Sequence, residues 1–232
     1  MDKFNQKDFL IKSDNINPKI SYKIYLLPHD QFIYFFKIYS ELLQSLIDLY
    51  KLQYKKTDEE IKDYSKSNIV ERYINNFSRN KKILLMIINN SVTNWKITEI
   101  GSIAVITEEN NNILTIYNVL VMPSYRGNKL CEVIMNVLID DSLKLKDKKI
   151  TLGVFTNNDI AIKCYQKIGF EIINLEKPLY LNFNPNLPYY TMILNEKLYF
   201  LLKIKNLIIK LLNQSQKDEK LKDEINILLK KL

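Results

Sequence analysis

Leu152-Gly153-Val154-Phe155-Thr156-Asn157-Asn158-Asp159-Ile160-Ala161-Ile162-Lys163-Cys164-Tyr165-Gln166-Lys167-Ile168-Gly169-Phe170-Glu171 is the stretch that decides how the rest of this chain is read. The apolar run over 150–155 has the length of a buried strand. From Asn158 to Lys167 the spacing turns helical, and Gly169-Phe170 begins another strand. Asn158 is a residue type that caps a helix through its side-chain oxygen, with Thr156 and Asp159 as a competing cap pair. Upstream lies a second junction of strand, loop and helix, Asn118-Val119-Leu120-Val121-Met122-Pro123-Ser124-Tyr125-Arg126-Gly127-Asn128-Lys129-Leu130-Cys131. The first N–H groups of a helix have no intrahelical partner, and its dipole places partial positive charge beside them. With Arg126 and Lys129 alongside, the loop is a candidate cradle for phosphate. The plainer alternative is an ordinary turn in which Gly127 merely supplies a favourable φ.

The pattern around these two junctions sets the architecture. Residues 1–18 are polar and read as a flexible N-terminal segment, and 20–26 alternates as a first strand. Apolar residues recur at helical spacing over 32–54, and Thr57 with Glu60 forms a capping box for a second helix reaching about Phe77. Three apolar runs, 83–88, 100–106 and 113–121, are separated by Asn89-Asn90 and Asn110-Asn111-Asn112, which predicts an antiparallel meander. A helix over about 127–144 follows Pro123, and a last strand covers 189–194. Pro178, Pro185 and Pro188 confine the segment before it to loop or edge positions. The fold class expected is α/β, with a mixed, mostly antiparallel central sheet flanked by helices. It is not a doubly wound dinucleotide fold. The main domain is placed at 19–195, and 196–232 is an amphipathic helical extension, read as a hairpin.

Composition narrows the function classes. The chain has 232 residues, 47% of them hydrophobic, which excludes an intrinsically disordered chain. Two cysteines, Cys131 and Cys164, are too few for a disulfide scaffold; they read as buried small thiols in a reduced, cytoplasmic setting. One His and two Cys make a metal site improbable, so none is expected. No apolar run is long and uncharged enough to span a membrane. Lysines are scattered, nine of them against five acids over 195–232, so the net charge of +8 describes a habit of composition more than a basic face. Without a recognisable motif beside it, nucleic acid is not expected as a partner.

Together the two junctions resemble the GNAT superfamily of N-acetyltransferases. That family has a strand ending near Val-x-Pro, then Arg/Gln-x-x-Gly-x-Gly/Ala opening a helix. Further on it has Val-x-x-x-Asn-x-x-Ala-x-x-x-Tyr-x-x-x-Gly-Phe. Val154, Asn158, Ala161, Tyr165, Gly169 and Phe170 fit the second half without a gap. The first half departs from the pattern: Lys129 and Cys131 stand where Gly and Gly/Ala are usual. Lys129 is tolerable there if its φ is helical, and Cys131 is still small.

The resemblance implies an acetyl-CoA-dependent N-acetyltransferase in which a primary amine attacks the thioester directly in a ternary complex. It implies that the backbone of Leu120, Val121 and Met122 pairs with the pantetheine arm. It further implies that the amides of Arg126, Gly127, Asn128, Lys129, Leu130 and Cys131 hold the pyrophosphate, and that Asn158 hydrogen-bonds the pantetheine. Tyr165 becomes the group that protonates the departing thiolate, a fair role for a phenol of pKa about 10. The acceptor is a protein N-terminus, a lysine or a small amine. No general base emerges: 113–121 holds no Asp, Glu or His, Thr115 and Tyr117 share a face, and His29, Glu41, Glu99 and Glu108 cannot be ranked. The rival class is a non-catalytic acyl-CoA-binding or scaffold protein that uses the C-terminal helices for partners, a homodimer among them. Fold alone does not separate the two.

Overall fold

The computed structural model describes residues 10–17, 20–38, 42–54, 57, 59, 81–89, 99–110, 112–145, 147–176, 188–213 and 219–230. The chain divides into two compact units, Met1–Ile150 and Thr151–Leu232. The expected second helix up to Phe77 lies almost wholly outside the described residues.

In the first unit, the strands β1 (Leu10–Asn17), β2 (Ile20–Pro28), β3 (Lys81–Asn89), β4 (Glu99–Asn110) and β5 (Ile113–Val121) are each antiparallel to the next. The meander is as the Asn-rich separators predicted. Side chains alternate across a strand, and β2, β3 and β4 are buried on both of their faces. Tyr25, Leu27, Ile83, Leu85, Ile87, Ile103 and Val105 form one core with Phe32, Phe35 and Phe36 of α1 (His29–Ile38) and Leu46 and Ile47 of α2 (Leu43–Tyr54). The aromatic rings meet at tilted and edge-on angles, Tyr25 on Phe35 at 5.5 Å and Phe32 on Phe36 at 5.0 Å. Helix α3 (Leu130–Ser142) packs on β3, β4 and β5. Its buried residues Leu130, Ile134, Leu138 and Ser142 recur every four positions along one stripe. Asp141 near its end pairs with Lys82 of β3 at 3.3 Å and with Lys144 at 2.9 Å. Burial pushes that carboxyl up, but the two lysines outweigh it and hold the group below its ordinary range.

Two expectations change. The segment expected to be loose contributes β1, whose residues Leu10 and Ile11 are 36% and 41% exposed. An outer strand with little to bury carries no apolar alternation, so its sequence has no strand signature. The single apolar pattern over 32–54 is realised as two helices, α1 and α2.

In the second unit β8 (Tyr189–Leu194) lies between β6 (Lys149–Phe155) and β7 (Phe170–Glu176), antiparallel to both. Leu152, Val154, Phe170, Met192 and Leu194 are buried on one face, where α4 (Asp159–Ile168) packs through Tyr165 and Ile168. A helical hairpin, α5 (Glu196–Asn213) and α6 (Glu219–Leu229), completes the unit. Tyr199, Phe200 and Ile204 are the buried side of α5. Among the described residues no helix is long and apolar enough to cross a membrane. The fold class is α/β, with a mostly antiparallel sheet flanked by helices, as the sequence predicted.

Candidate active site

In the first unit the candidate residues gather where β5 runs out. Ile103 stands opposite Leu120 and Val105 opposite Tyr117, so Asn118 and Val119 together face Ala104. This is a β-bulge, and Asn118 takes a left-handed φ of 53° in it. Asn tolerates that conformation better than most side chains, which is why it occurs inside an otherwise apolar strand. A second irregularity lies across from it. Met86 pairs with Ser102 and Ile87 with Ile100, leaving Gly101 as an extra residue in β4. A Cβ on Gly101 would collide with the Ile88 side chain.

These two bulges determine which backbone groups the end of β5 presents. The Met122 N–H donates to the Gly101 carbonyl at 2.9 Å, and the Ser102 hydroxyl donates to the Leu120 carbonyl at 2.7 Å. Strand alternation then turns the N–H and C=O of Val121 away from β4. The Val121 carbonyl accepts from Nε of Arg126 at 3.2 Å. Of the three residues expected to pair with a pantetheine arm, Val121 is the one whose polar groups face outward from this ladder.

The loop beyond is built from short local bonds. Tyr125 N–H donates to Met122 C=O at 2.9 Å and Arg126 N–H to Pro123 C=O at 3.2 Å, closing a 3-10 turn over Pro123–Tyr125. The Asn128 side-chain amide donates to the carbonyls of Tyr125 and Arg126, pulling the loop tight. Gly127 has φ 82°, with open space around its Cα. Lys129 is the N-cap of α3 and does not have the helical φ its tolerance was expected to need: it is left-handed, at φ 58° and ψ 19°. The turn into the helix requires that conformation, which costs a non-glycine residue about 1–2 kcal/mol. No side chain caps α3. The amides of Gly127, Asn128, Lys129 and Leu130 make no hydrogen bond among the described residues, whereas that of Arg126 is spent in the turn. Arg126 and Lys129 are both exposed beside this uncapped helix start. Unpaired amides, a positive helix end and two cations are the chemistry a pyrophosphate needs, so these residues fit that group.

In the second unit, Asn158 caps α4, its Oδ1 accepting from the Ala161 N–H at 3.3 Å. This settles the competition with Thr156 and Asp159. The cap uses the side-chain oxygen and leaves the Asn158 amide nitrogen with two donors. Tyr165, seven residues on, is 6% exposed, and its ring meets Phe170 edge-on at 6.2 Å. No partner for its hydroxyl is found among the described residues, yet no buried side-chain oxygen or nitrogen there lacks one. The side chain as a whole is buried. Burial pushes the Tyr165 phenol up to about 12. Gly169 ends α4 with φ 118°, and its carbonyl accepts from the Asn195 N–H at 2.9 Å.

Neither cysteine is the buried thiol the sequence suggested. Both are half-buried and neither is a free thiol. Among the candidates for a general base, Thr115 is buried and Tyr117 exposed, while the side chains of His29, Glu41, Glu99 and Glu108 lie outside the described residues. Sequence reasoning missed Gly101, Ser102 and Asn118, although a Gly and an Asn inside apolar strands are signals of bulges.

Comparison with known proteins agrees with these motifs. No curated protein matches the chain. Among solved structures, an acetyltransferase of the GNAT family from Streptococcus pneumoniae matches at 20% identity and a TM-score of 0.50, over 74% of this chain and 98% of that one. A chimeric spermidine N-acetyltransferase from Vibrio cholerae and hSSAT matches at 15% identity and a TM-score of 0.52, over 77% and 98%. At such identities the likeness is one of fold. The acetyltransferase (GNAT) family model matches residues 43–170, more than half of the chain and both motif halves. With the sheet, the uncapped start of α3 and the Asn158–Tyr165 helix all present, this chain belongs to the GNAT family of acetyltransferases.

Proposed function

We propose that the protein is an acetyl-CoA-dependent N-acetyltransferase that works on a primary amine in a ternary complex. The observation that carries the reading is Tyr165: a buried tyrosine packed on Phe170, at the family's tyrosine position on a helix whose start is capped by Asn158. Acetyl-CoA, when bound, supplies an activated acetyl group as a thioester. The amides from Gly127 to Cys131, with Arg126 and Lys129, would hold its pyrophosphate. Val121 would pair with the pantetheine arm, and the Asn158 amide nitrogen would donate to it.

The chain's own contribution to the chemistry is positional and electrostatic. Tyr165, with its phenol raised to about 12, keeps its proton at neutral pH, so Oη serves as a donor to a departing thiolate and not as a base. Holding amine and thioester in line supplies most of the acceleration in such reactions. The acceptor is a protein N-terminus, a lysine or a small amine. A scaffold role is the second reading, favoured by the exposed Leu201, Ile208 and Ile209 on α5 and Ile227 and Leu229 on α6.

One experiment separates the two. Purified protein given acetyl-CoA and a mixture of primary amines should release free thiol. Tyr165→Phe should slow that release at least tenfold while acetyl-CoA affinity stays within twofold. Equal rates in the variant would remove Tyr165 from the mechanism, and absence of turnover with intact acetyl-CoA binding would favour the scaffold.

A further inference from the structure

The second unit carries a carboxylate prepared in a way that the proposed chemistry does not use. Glu176, the last residue of β7, accepts the Tyr189 hydroxyl on Oε2 at 2.5 Å and the Thr191 hydroxyl on Oε1 at 2.6 Å. Asn174 donates to the same group. The hydrogen bonds from Thr191 and Tyr189 hold its carboxyl below the ordinary carboxylate range, so it stays charged in mildly acidic solution.

A deviation in the backbone puts it there. Ile172 pairs with Met192, but Asn174 pairs with Thr191 and Glu176 with Tyr189, so Ile173 is an inserted bulge residue. Without the bulge, Asn174 and Glu176 would follow Phe170 and Ile172 onto the α4 side of the sheet. The extra residue transfers both to the opposite face, beside Tyr189 and Thr191. Among the described residues Gly153, opposite Thr191 on β6, is exposed and has no side chain to cover the Tyr189 ring edge.

The contrast with Asp141 shows what is unusual. Asp141 is neutralised by Lys82 and Lys144. Among the described residues Glu176 is oriented by neutral donors, and no Lys or Arg there lies within ion-pair distance of it. Two ionised oxygens offer about four lone-pair sites. Three donors fix the group without exhausting them, and an aromatic ring stands beside it, the combination that suits an alkylammonium.

We propose that Glu176, held by Tyr189, Thr191 and Asn174, is a binding site for the ammonium group of a small cationic ligand. Resting on the transferase reading, that ligand is an acceptor with a second ammonium group besides the amine that reacts. Glu176 is then a specificity residue that selects diamines over monoamines.

The test uses the full chain at low salt, with 1,4-diaminobutane and n-butylamine as probes in calorimetric titration without acetyl-CoA. The diamine should bind at least tenfold more tightly, and Glu176→Gln should erase that preference. Tyr189→Phe, which releases one oxygen but leaves the charge, should reduce it about threefold. Equal affinities for the two amines, or a preference that survives Glu176→Gln, would overturn the site. Thiol release with acetyl-CoA and the same two amines separates this proposal from the one before it. A Glu176-dependent diamine preference without turnover leaves the site standing and removes the transferase. Turnover whose diamine-to-monoamine ratio of kcat/KM is unmoved by Glu176→Gln does the reverse.

Discussion

The starts of α3 and α4 solve one problem in opposite ways. At α4 the chain supplies a capping Asn158 and closes the helix with Gly169, so both ends are satisfied within the protein. At α3 no side chain caps the first turn, and the residue forced left-handed is Lys129, not a glycine. A helix end left unsatisfied and strained is poor design for stability and good design for an anion. The well-capped helix instead positions one side chain, Tyr165. In these terms the first helix presents its end and the second presents its flank.

The comparison breaks most visibly at Gly169. A Cβ there would stand 3.0 Å from the Tyr199 backbone nitrogen and 3.1 Å from its Cα, at a φ of 118° that L-residues rarely adopt. Gly169→Ala should therefore destabilise the protein by about 3 kcal/mol, read as a lowered urea midpoint. A loss below about 1 kcal/mol would mean that the α4–α5 junction yields easily. Asn158→Ala should cost about 1 kcal/mol by removing the cap, and Asn158→Asp should recover most of it, because a carboxylate also suits a helix N-terminus. The smallest effect has the opposite sign. Lys129→Gly relieves the left-handed strain but adds freedom to the unfolded chain, so a net gain of about 0.5 kcal/mol is expected in the same denaturation assay. If Lys129→Gly instead destabilised the protein, the α3 junction would not be strained.

Much of this was legible in the sequence, and the gaps have physical causes. The meander was readable because its strands are apolar on both faces and its separators are Asn-rich. The α4 segment was readable because a cap, a tyrosine and a glycine–phenylalanine pair are local features. β1 was not, since an outer strand buries too little to need an apolar pattern. The φ of Lys129 was misjudged because a missing glycine does not show whether the turn has changed or merely become strained. The Glu176 group was invisible for a different reason. Its donors Tyr189 and Thr191 are brought to it by register, and a single bulge at Ile173 sets that register. Strand periodicity assumes the alternation that the bulge interrupts.

The scarcity of glycine has one more consequence. Asn118, Lys129 and Asp147 all hold positive φ without being glycine, and the whole chain contains only four glycines. Each such turn is paid for by native strain, but a denatured chain with few glycines samples fewer conformers and so has less entropy to surrender on folding. Refolding thus begins from a stiffer coil, and part of what the contorted corners cost is returned before any contact forms.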